Sequence, residues 1–195
     1  AVNVEGNWNV TTLTLAGTPG TISFTGNTSP ATIQSNGRNL GVLTIYKMTT
    51  TDTVQLSGDL ACSQLTLTQG ILDADTNNAN IVAAGFVDSD GSGTDASFSG
   101  AGQTVTITGG NLRGVQFANL AVTGSATMTG NVTATGSADF SGSGALTLGG
   151  YTLEAASVAR ANDAGTGTFL TGGGASAVTA GSVSIEGTAG TINLS

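Results

Sequence analysis

The side chains of this chain that could do chemistry are mainly carboxylates, because the other usual groups are nearly absent. The sequence has no histidine and a single cysteine, Cys62. These absences exclude a Ser-His-Asp or Cys-His triad, a histidine-bound metal and a thiolate zinc site. Cys62 stands in an apolar stretch and is expected to fill the core as a small apolar residue. The chemistry that remains is binding of a hard cation, or acid–base catalysis by a pair of carboxylates.

The sharpest local motif is an acidic segment at residues 88–95, which reads Asp-Ser-Asp-Gly-Ser-Gly-Thr-Asp. Oxygen-bearing side chains on alternate residues, with glycine where the chain bends sharply, are typical of the first half of a calcium loop. The second half departs from an EF-hand, because Ser99 stands where a bidentate Glu is usual. The motif offers a candidate calcium site formed by Asp88, Asp90, Ser92 and Asp95, but we favour the alternative, a solvated polar loop that projects from one coil. No other cofactor is expected.

Carboxylate catalysis is the one enzymatic alternative that the composition leaves. The acidic residues between Asp73 and Asp95 could act as a pair on a polysaccharide. No Lys or Arg lies near them in sequence, and the chain has only one Trp and two Tyr on which a sugar could stack. We therefore expect a protein that is not an enzyme.

The charge pattern excludes two further classes of partner. The net charge is −8, and the four cations, Arg38, Lys47, Arg113 and Arg160, are scattered along the chain. No basic patch is available for phosphates or for an anionic membrane surface. No apolar run approaches the roughly 20 residues of a spanning helix. We expect neither nucleic-acid binding nor membrane insertion.

Six-residue units give the clearest indication of the fold. Residues 119–142 form four consecutive blocks, NLAVTG, SATMTG, NVTATG and SADFSG. The second and fourth positions of each block are apolar, so one face of a strand points inward. Glycine closes each block, and we expect it to turn the corner with a positive φ. The pattern predicts a chain that coils as strand, corner, strand, corner.

Looser copies of this unit extend the pattern along nearly the whole chain, at residues 12–17, 21–26, 53–58, 104–109 and 182–187. The predicted fold is all-β, a parallel β-helix or β-solenoid with Gly, Asn and Ser corners, and a β-sandwich is the alternative. Only residues 153–161 leave a short helix open. We expect one domain over residues 1–195, with a cap at 1–11 that includes Trp8, and irregular coils at 151–195. Either hand of the coil fits the pattern.

Longer repeats point to a class of proteins. The runs at residues 39–45, 54–60 and 65–72 follow the pattern NL-x-I, V-x-L-x-G-x-L and L-x-L-x-x-G-x-L. They resemble the β-helical stalks of bacterial surface adhesins and autotransporter-like proteins. The six-residue blocks resemble shaft repeats of phage fibre and virion-appendage proteins. The resemblance covers roughly residues 12–150.

The resemblance implies a structural and assembly role at a cell surface, outside the cell or on a virion. The implied partners are further copies of the chain or other appendage, capsid or surface proteins. The alternative is an adhesin that binds a glycan or a host receptor, with calcium. The Thr-x-Thr pairs are also similar to the threonine ladders of β-helical ice-binding proteins, but they do not follow one another in uninterrupted register.

Overall fold

The chain is an all-β solenoid, as the repeat pattern predicts. The computed structural model describes residues 1–9, 20–83, 85–88, 96–97, 102–112, 116–161, 167–186 and 190–194, with only the backbone at 86–88 and 96–97. All of the pairings among the described strands are parallel and join one turn to the next. The β-sandwich alternative is wrong, because parallel strands here stack turn upon turn rather than in two facing antiparallel sheets.

The described strands are short, and several bend around a corner of the coil. They are β1 (Val2–Val4), β2 (Trp8–Asn9), β3 (Thr21–Phe24), β4 (Ala31–Gln34), β5 (Val42–Tyr46), β6 (Thr53–Leu56), β7 (Leu60–Cys62), β8 (Gln64–Gln69), β9 (Ile71–Asp73), β10 (Ile81–Ala83), β11 (Phe86–Asp88), β12 (Ala96–Ser97), β13 (Thr104–Leu112), β14 (Gln116–Phe117), β15 (Asn119–Met128), β16 (Val132–Phe140), β17 (Ala145–Thr147), β18 (Thr152–Arg160), β19 (Thr168–Thr171), β20 (Ala177–Ile185) and β21 (Thr191–Asn193).

Successive turns stack these strands into three faces. Face 1 contains β1, β3, β5, β8, β11, the C-terminal halves of β13 and β15, and then β17, β19 and β21. Face 2 contains β7, β10, the N-terminal halves of β13 and β15, and the C-terminal halves of β16, β18 and β20. Face 3 contains β2, β4, β6, β9 and β12, followed by β14 and the N-terminal halves of β16, β18 and β20. Register partners on neighbouring turns are roughly 15 to 25 residues apart.

The six-residue blocks correspond to single faces of the coil. Leu120 pairs with Ala138 on the next turn, so three blocks complete one turn. The eight apolar positions predicted to face inward are all buried: Leu120, Val122, Ala126, Met128, Val132, Ala134, Ala138 and Phe140. Alternation sets which side chains point inward, and stacking then removes them from water.

The prediction of a positive φ for the glycine that closes each block is wrong at three of the four blocks. Gly124, Gly130 and Gly136 have no positive φ, whereas Gly142 adopts one of 55°. A Cβ at Gly124 would lie 2.0 Å from the backbone oxygen of Thr108 on the preceding turn, and one at Gly136 would lie 2.4 Å from Asn119 Oδ1. At Gly124 and Gly136 glycine is therefore needed for close approach between turns.

Residues 153–161 do not form a helix. Residues 152–160 are strand β18, which pairs with β16 on one side and β20 on the other. The alanines of this segment have high helix propensity, but inter-turn pairing on both edges outweighs it.

The core is one aliphatic column that runs through the turns. On face 2 the inward positions stack in register as Leu60, Ile81, Val105, Leu120, Ala138 and Val158, all buried. Each fully buried large aliphatic side chain contributes about 1.5–3 kcal/mol. Cys62 is buried on the same face above Ala83, as predicted. Burial raises the pKa of the Cys62 thiol to about 12.

Candidate assembly surface at the C-terminal turn

The last described turn exposes side chains that every earlier turn buries. We call its strands, β20 and β21, the open turn. Val183 pairs with Val158, and Ile185 pairs with Arg160, so both occupy the inward positions of face 2. Yet Val183 is 51% exposed and Ile185 is 41% exposed. The exposure arises because no further turn lies above them among the described residues.

One strand of the open turn, β20, has a backbone edge that faces no other described strand. Among the described strands, β20 pairs only with β18, and β21 pairs only with β19. β20 is nine residues long and contains no Pro, Lys or Arg. Proline and charged side chains such as lysine usually protect an edge strand from pairing with another chain. β20 therefore combines a strand edge that pairs with no further described strand with an apolar surface, which is what strand addition requires.

The first turn is covered only in part. Val4 is buried and Trp8 packs against the core from face 3, but Val2, which pairs with the buried Ile22, is 45% exposed. The Nε1 of Trp8 is buried, and no acceptor among the described residues binds it. Trp8 thus lies where an end-covering residue was predicted, although the extent of the cap at 1–11 stays a prediction.

Arg160 lies directly below the open turn, in an inward position that sequence reasoning missed. Its guanidinium donates hydrogen bonds to the backbone oxygens of Gly144 and Gly142. Its Cζ lies 5.3 Å from the centroid of the Phe169 ring, which suits a cation–π contact. The inward position of Arg160 could have been predicted, because Arg160 follows Val158 by two residues and side chains two apart in a strand point to the same side.

Asp73, one of the carboxylates considered for catalysis, lies at the end of β9 and closes a turn. Its Oδ1 accepts hydrogen bonds from the backbone N–H groups of Asp75 and Thr76, at 2.9 and 3.0 Å. Its Oδ2 accepts from Thr76 Oγ1 at 2.6 Å and from Gln55 Nε2 at 3.2 Å. Burial alone would raise the pKa of Asp73, but these hydrogen bonds outweigh burial and lower it.

The predicted calcium residues fall mostly outside the described part of the chain. The backbone of Asp88 ends β11 on face 1, whereas Asp90, Ser92 and Asp95 lie outside the described residues. Within the described ranges, no group of three or more Cys, Asp or Glu side chains is arranged to hold a metal ion. The solvated loop that we favour at residues 88–95, and the calcium site that is its alternative, therefore both stay predictions.

No helix in the described part of the chain is long and apolar enough to cross a membrane. Comparisons with protein-family models, with curated proteins and with solved structures found no match to this chain. The features that bear on function are therefore the fold itself and the surfaces that its described turns present.

Proposed function

We propose that the chain is a non-catalytic structural and assembly protein, a rigid β-solenoid unit of an extracellular or virion appendage such as a fibre, a stalk or a surface decoration. The single observation that carries this proposal is the open turn. A solenoid turn whose inward aliphatic residues and β20 edge face no further described turn is suited to continue by stacking. Low charge, with few basic residues, suits a protein exposed at a surface.

The partner that we propose is a second copy of the chain. The open turn exposes aliphatic residues of the kind that the core stacks in every turn, and its exposed inward side chains carry no charge. Most soluble oligomers are formed from identical chains. Adding a strand to β20 would satisfy its backbone edge and remove Val183 and Ile185 from water. An appendage, capsid or surface protein of different sequence is the competing occupant.

Light scattering after size exclusion tests this proposal. We expect the chain to have a mass above the 18.9 kDa of one copy. Val183→Lys should return it to one copy, because a charge would then lie at the contact between copies. Val82→Lys is the matched control, since Val82 is 47% exposed but points outward from the side of the coil. Its mass should match that of the parent protein.

Two outcomes contradict the assembly proposal. One is a single-copy mass for the parent protein at every concentration tested. The other is an equal effect of Val183→Lys and Val82→Lys, because the contact would then not lie at the open turn. If a single-copy protein associates instead with a separate capsid or surface protein, the competing occupant is correct.

The alternatives predict other readouts. If the chain is a calcium-dependent adhesin, a chelator should lower its melting temperature, because metal bound to the folded state stabilises that state. If it acts on polysaccharides through its carboxylates, it should release reducing sugar from a polysaccharide panel. We expect neither effect. The hydrogen bonds that occupy Asp73 support a turn-stabilising role for this carboxylate.

A further inference from the structure

A groove runs along the outer corner of the coil where face 1 ends, remote in sequence from the open turn. It has a volume of about 420 Å³. Its walls come from four successive turns: Glu5 follows β1, Thr25 and Gly26 follow β3, Tyr46, Lys47 and Met48 end or follow β5, and Gln69 ends β8. Neighbouring strands are about 4.8 Å apart, so the groove spans roughly 14 Å along the coil axis.

Two apolar side chains stand exposed in this groove. Tyr46 is 53% exposed and Met48 is 68% exposed, which makes Met48 the most exposed of the large hydrophobic residues described. Two residues with hydrogen-bonding side chains, Glu5 and Gln69, line the same groove. Register places Tyr46 next to Gln69 on the following turn. An aromatic ring flanked by a few polar groups, in a volume within the roughly 300–1,000 Å³ of ligand sites, is typical of a small-molecule site.

The floor of the groove is built by close packing rather than left by chance. A Cβ at Gly26 would lie 2.8 Å from the Cβ and the backbone oxygen of Glu5, so only glycine allows these turns to approach so closely. The stem of Lys47 packs against Gly70, where a Cβ would lie 2.7 Å from Lys47 Cγ. The groove therefore depends on glycine at two of its four turns, the second and the fourth.

The charges in the groove distinguish between classes of ligand. Lys47 is buried, its Nζ donates to the backbone oxygen of Thr28 at 2.9 Å, and Asp52 provides a favourable charge nearby. The Lys47 ammonium is therefore bonded within the groove wall. The charged group exposed in the groove is the carboxylate of Glu5. An anionic ligand is therefore disfavoured. A proline-rich peptide is also disfavoured, because such peptides bind in grooves lined by several aromatic rings and this groove has one.

We propose that this groove binds a neutral oligosaccharide. The C–H face of a sugar ring can stack on Tyr46 and contact Met48, while ring hydroxyls donate to Glu5 and bond with the Gln69 amide. The groove follows the coil axis, so it suits an extended chain of sugar units rather than a single compact molecule. This inference goes beyond the proposed structural role and does not depend on assembly through the open turn.

Saturation-transfer NMR with the full chain tests this proposal. The probes are neutral trisaccharides of glucose, mannose, xylose and N-acetylglucosamine in different linkages, with a proline-rich peptide as a separate arm. We expect at least one trisaccharide to receive magnetisation, and calorimetry then gives its Kd. Tyr46→Ala should raise that Kd by at least about tenfold, or roughly 1.4 kcal/mol. Glu5→Gln and Gln69→Ala should weaken binding as well.

The second tyrosine provides a matched control. Tyr151 is 37% exposed and lies on a distant turn, so Tyr151→Ala should leave the Kd within about twofold. Circular dichroism would check that each variant remains folded, and the exposure of both rings favours this. Three results overturn the proposal: no trisaccharide binds, only the peptide binds, or both tyrosine variants weaken binding equally. None of these results bears on the mass measured by light scattering.

Discussion

At the scale of single residues, Cys62 illustrates a side chain with reactive chemistry and a structural role. It is buried on face 2, and burial raises its pKa to about 12. Because the thiolate is the reactive species, we expect no reaction of native Cys62 with a disulfide reagent at pH 8. The same reagent should modify it rapidly in urea. Stoichiometric labelling of the native protein would contradict the buried position.

Asp73 makes stability depend on pH. Its pKa is lowered in the folded chain from an ordinary value of 3.8. A lowered carboxyl pKa means that its contribution to folding is present above pH 4 and is lost as the pH falls through the folded value. Asp73→Asn should lower the free energy of unfolding at pH 7 by about 1–3 kcal/mol, and the difference from the parent should shrink near pH 2.

Urea unfolding at several pH values measures this effect. Glu154→Gln is the control, because Glu154 is exposed and its removal takes away one carboxylate without breaking the turn at Asp73. It should change stability by less than about 0.5 kcal/mol. A loss for Asp73→Asn that is the same at every pH would show that charge plays no part.

Gly124 tests the close approach between turns. A Cβ there would lie 2.0 Å from a backbone oxygen of the preceding turn, whereas one at Gly58 would meet nothing within 4 Å. Gly124→Ala should therefore lower the free energy of unfolding by about 1–3 kcal/mol, as overpacking does. Gly58→Ala should be neutral or stabilise by a few tenths of a kcal/mol. Equal urea midpoints for the two variants would contradict the steric role.

At the scale of elements, the alternating pattern of residues 119–142 was sufficient to predict strands, the corners between them and their inward positions, but not the number of faces per turn. It was sufficient because side chains alternate between the two sides of a strand, so every second residue is buried. The pattern could not predict why Gly124 and Gly136 are glycine, since that reason lies in a backbone one turn away. It also could not exclude a helix at residues 153–161, where local propensity and inter-turn pairing conflict.

The candidate surfaces were less predictable than the strands. Residues 182–187 fit the six-residue unit, but nothing in that unit indicates that Val183 and Ile185 would lie at an open edge. The groove at Tyr46 joins residues from four turns, so its composition depends on the register of β1, β3, β5 and β8. Register of this kind follows from loop lengths that vary between turns.

At the scale of the whole molecule, the stack predicts that one complete turn can be removed. Leu120 and Ala138 occupy equivalent positions, so deletion of residues 120–137 brings each later strand onto the turn below. We expect a folded chain with a smaller dependence of unfolding free energy on urea, because less surface is buried. Each turn interacts mainly with its neighbours, which makes such a deletion tolerable.

Deletion of residues 120–128 is the control for the turn deletion. It removes half a turn and places face 1 and face 3 strands out of alignment, so the inward positions no longer stack. This variant should lose cooperative unfolding or aggregate. If it unfolds as cooperatively as the full-turn deletion, equivalence between turns is not what holds the stack together.

The burial of Lys47 and Arg160 has a consequence for digestion by trypsin-like proteases. With both cations inside the coil, Arg38 is the one exposed basic side chain in the described part of the chain. It lies in the turn between β4 and β5, and these strands belong to different ladders that extend into neighbouring turns. A cut after Arg38 would leave both fragments held by those ladders, so the nicked protein should keep its shape until a denaturant separates the pieces.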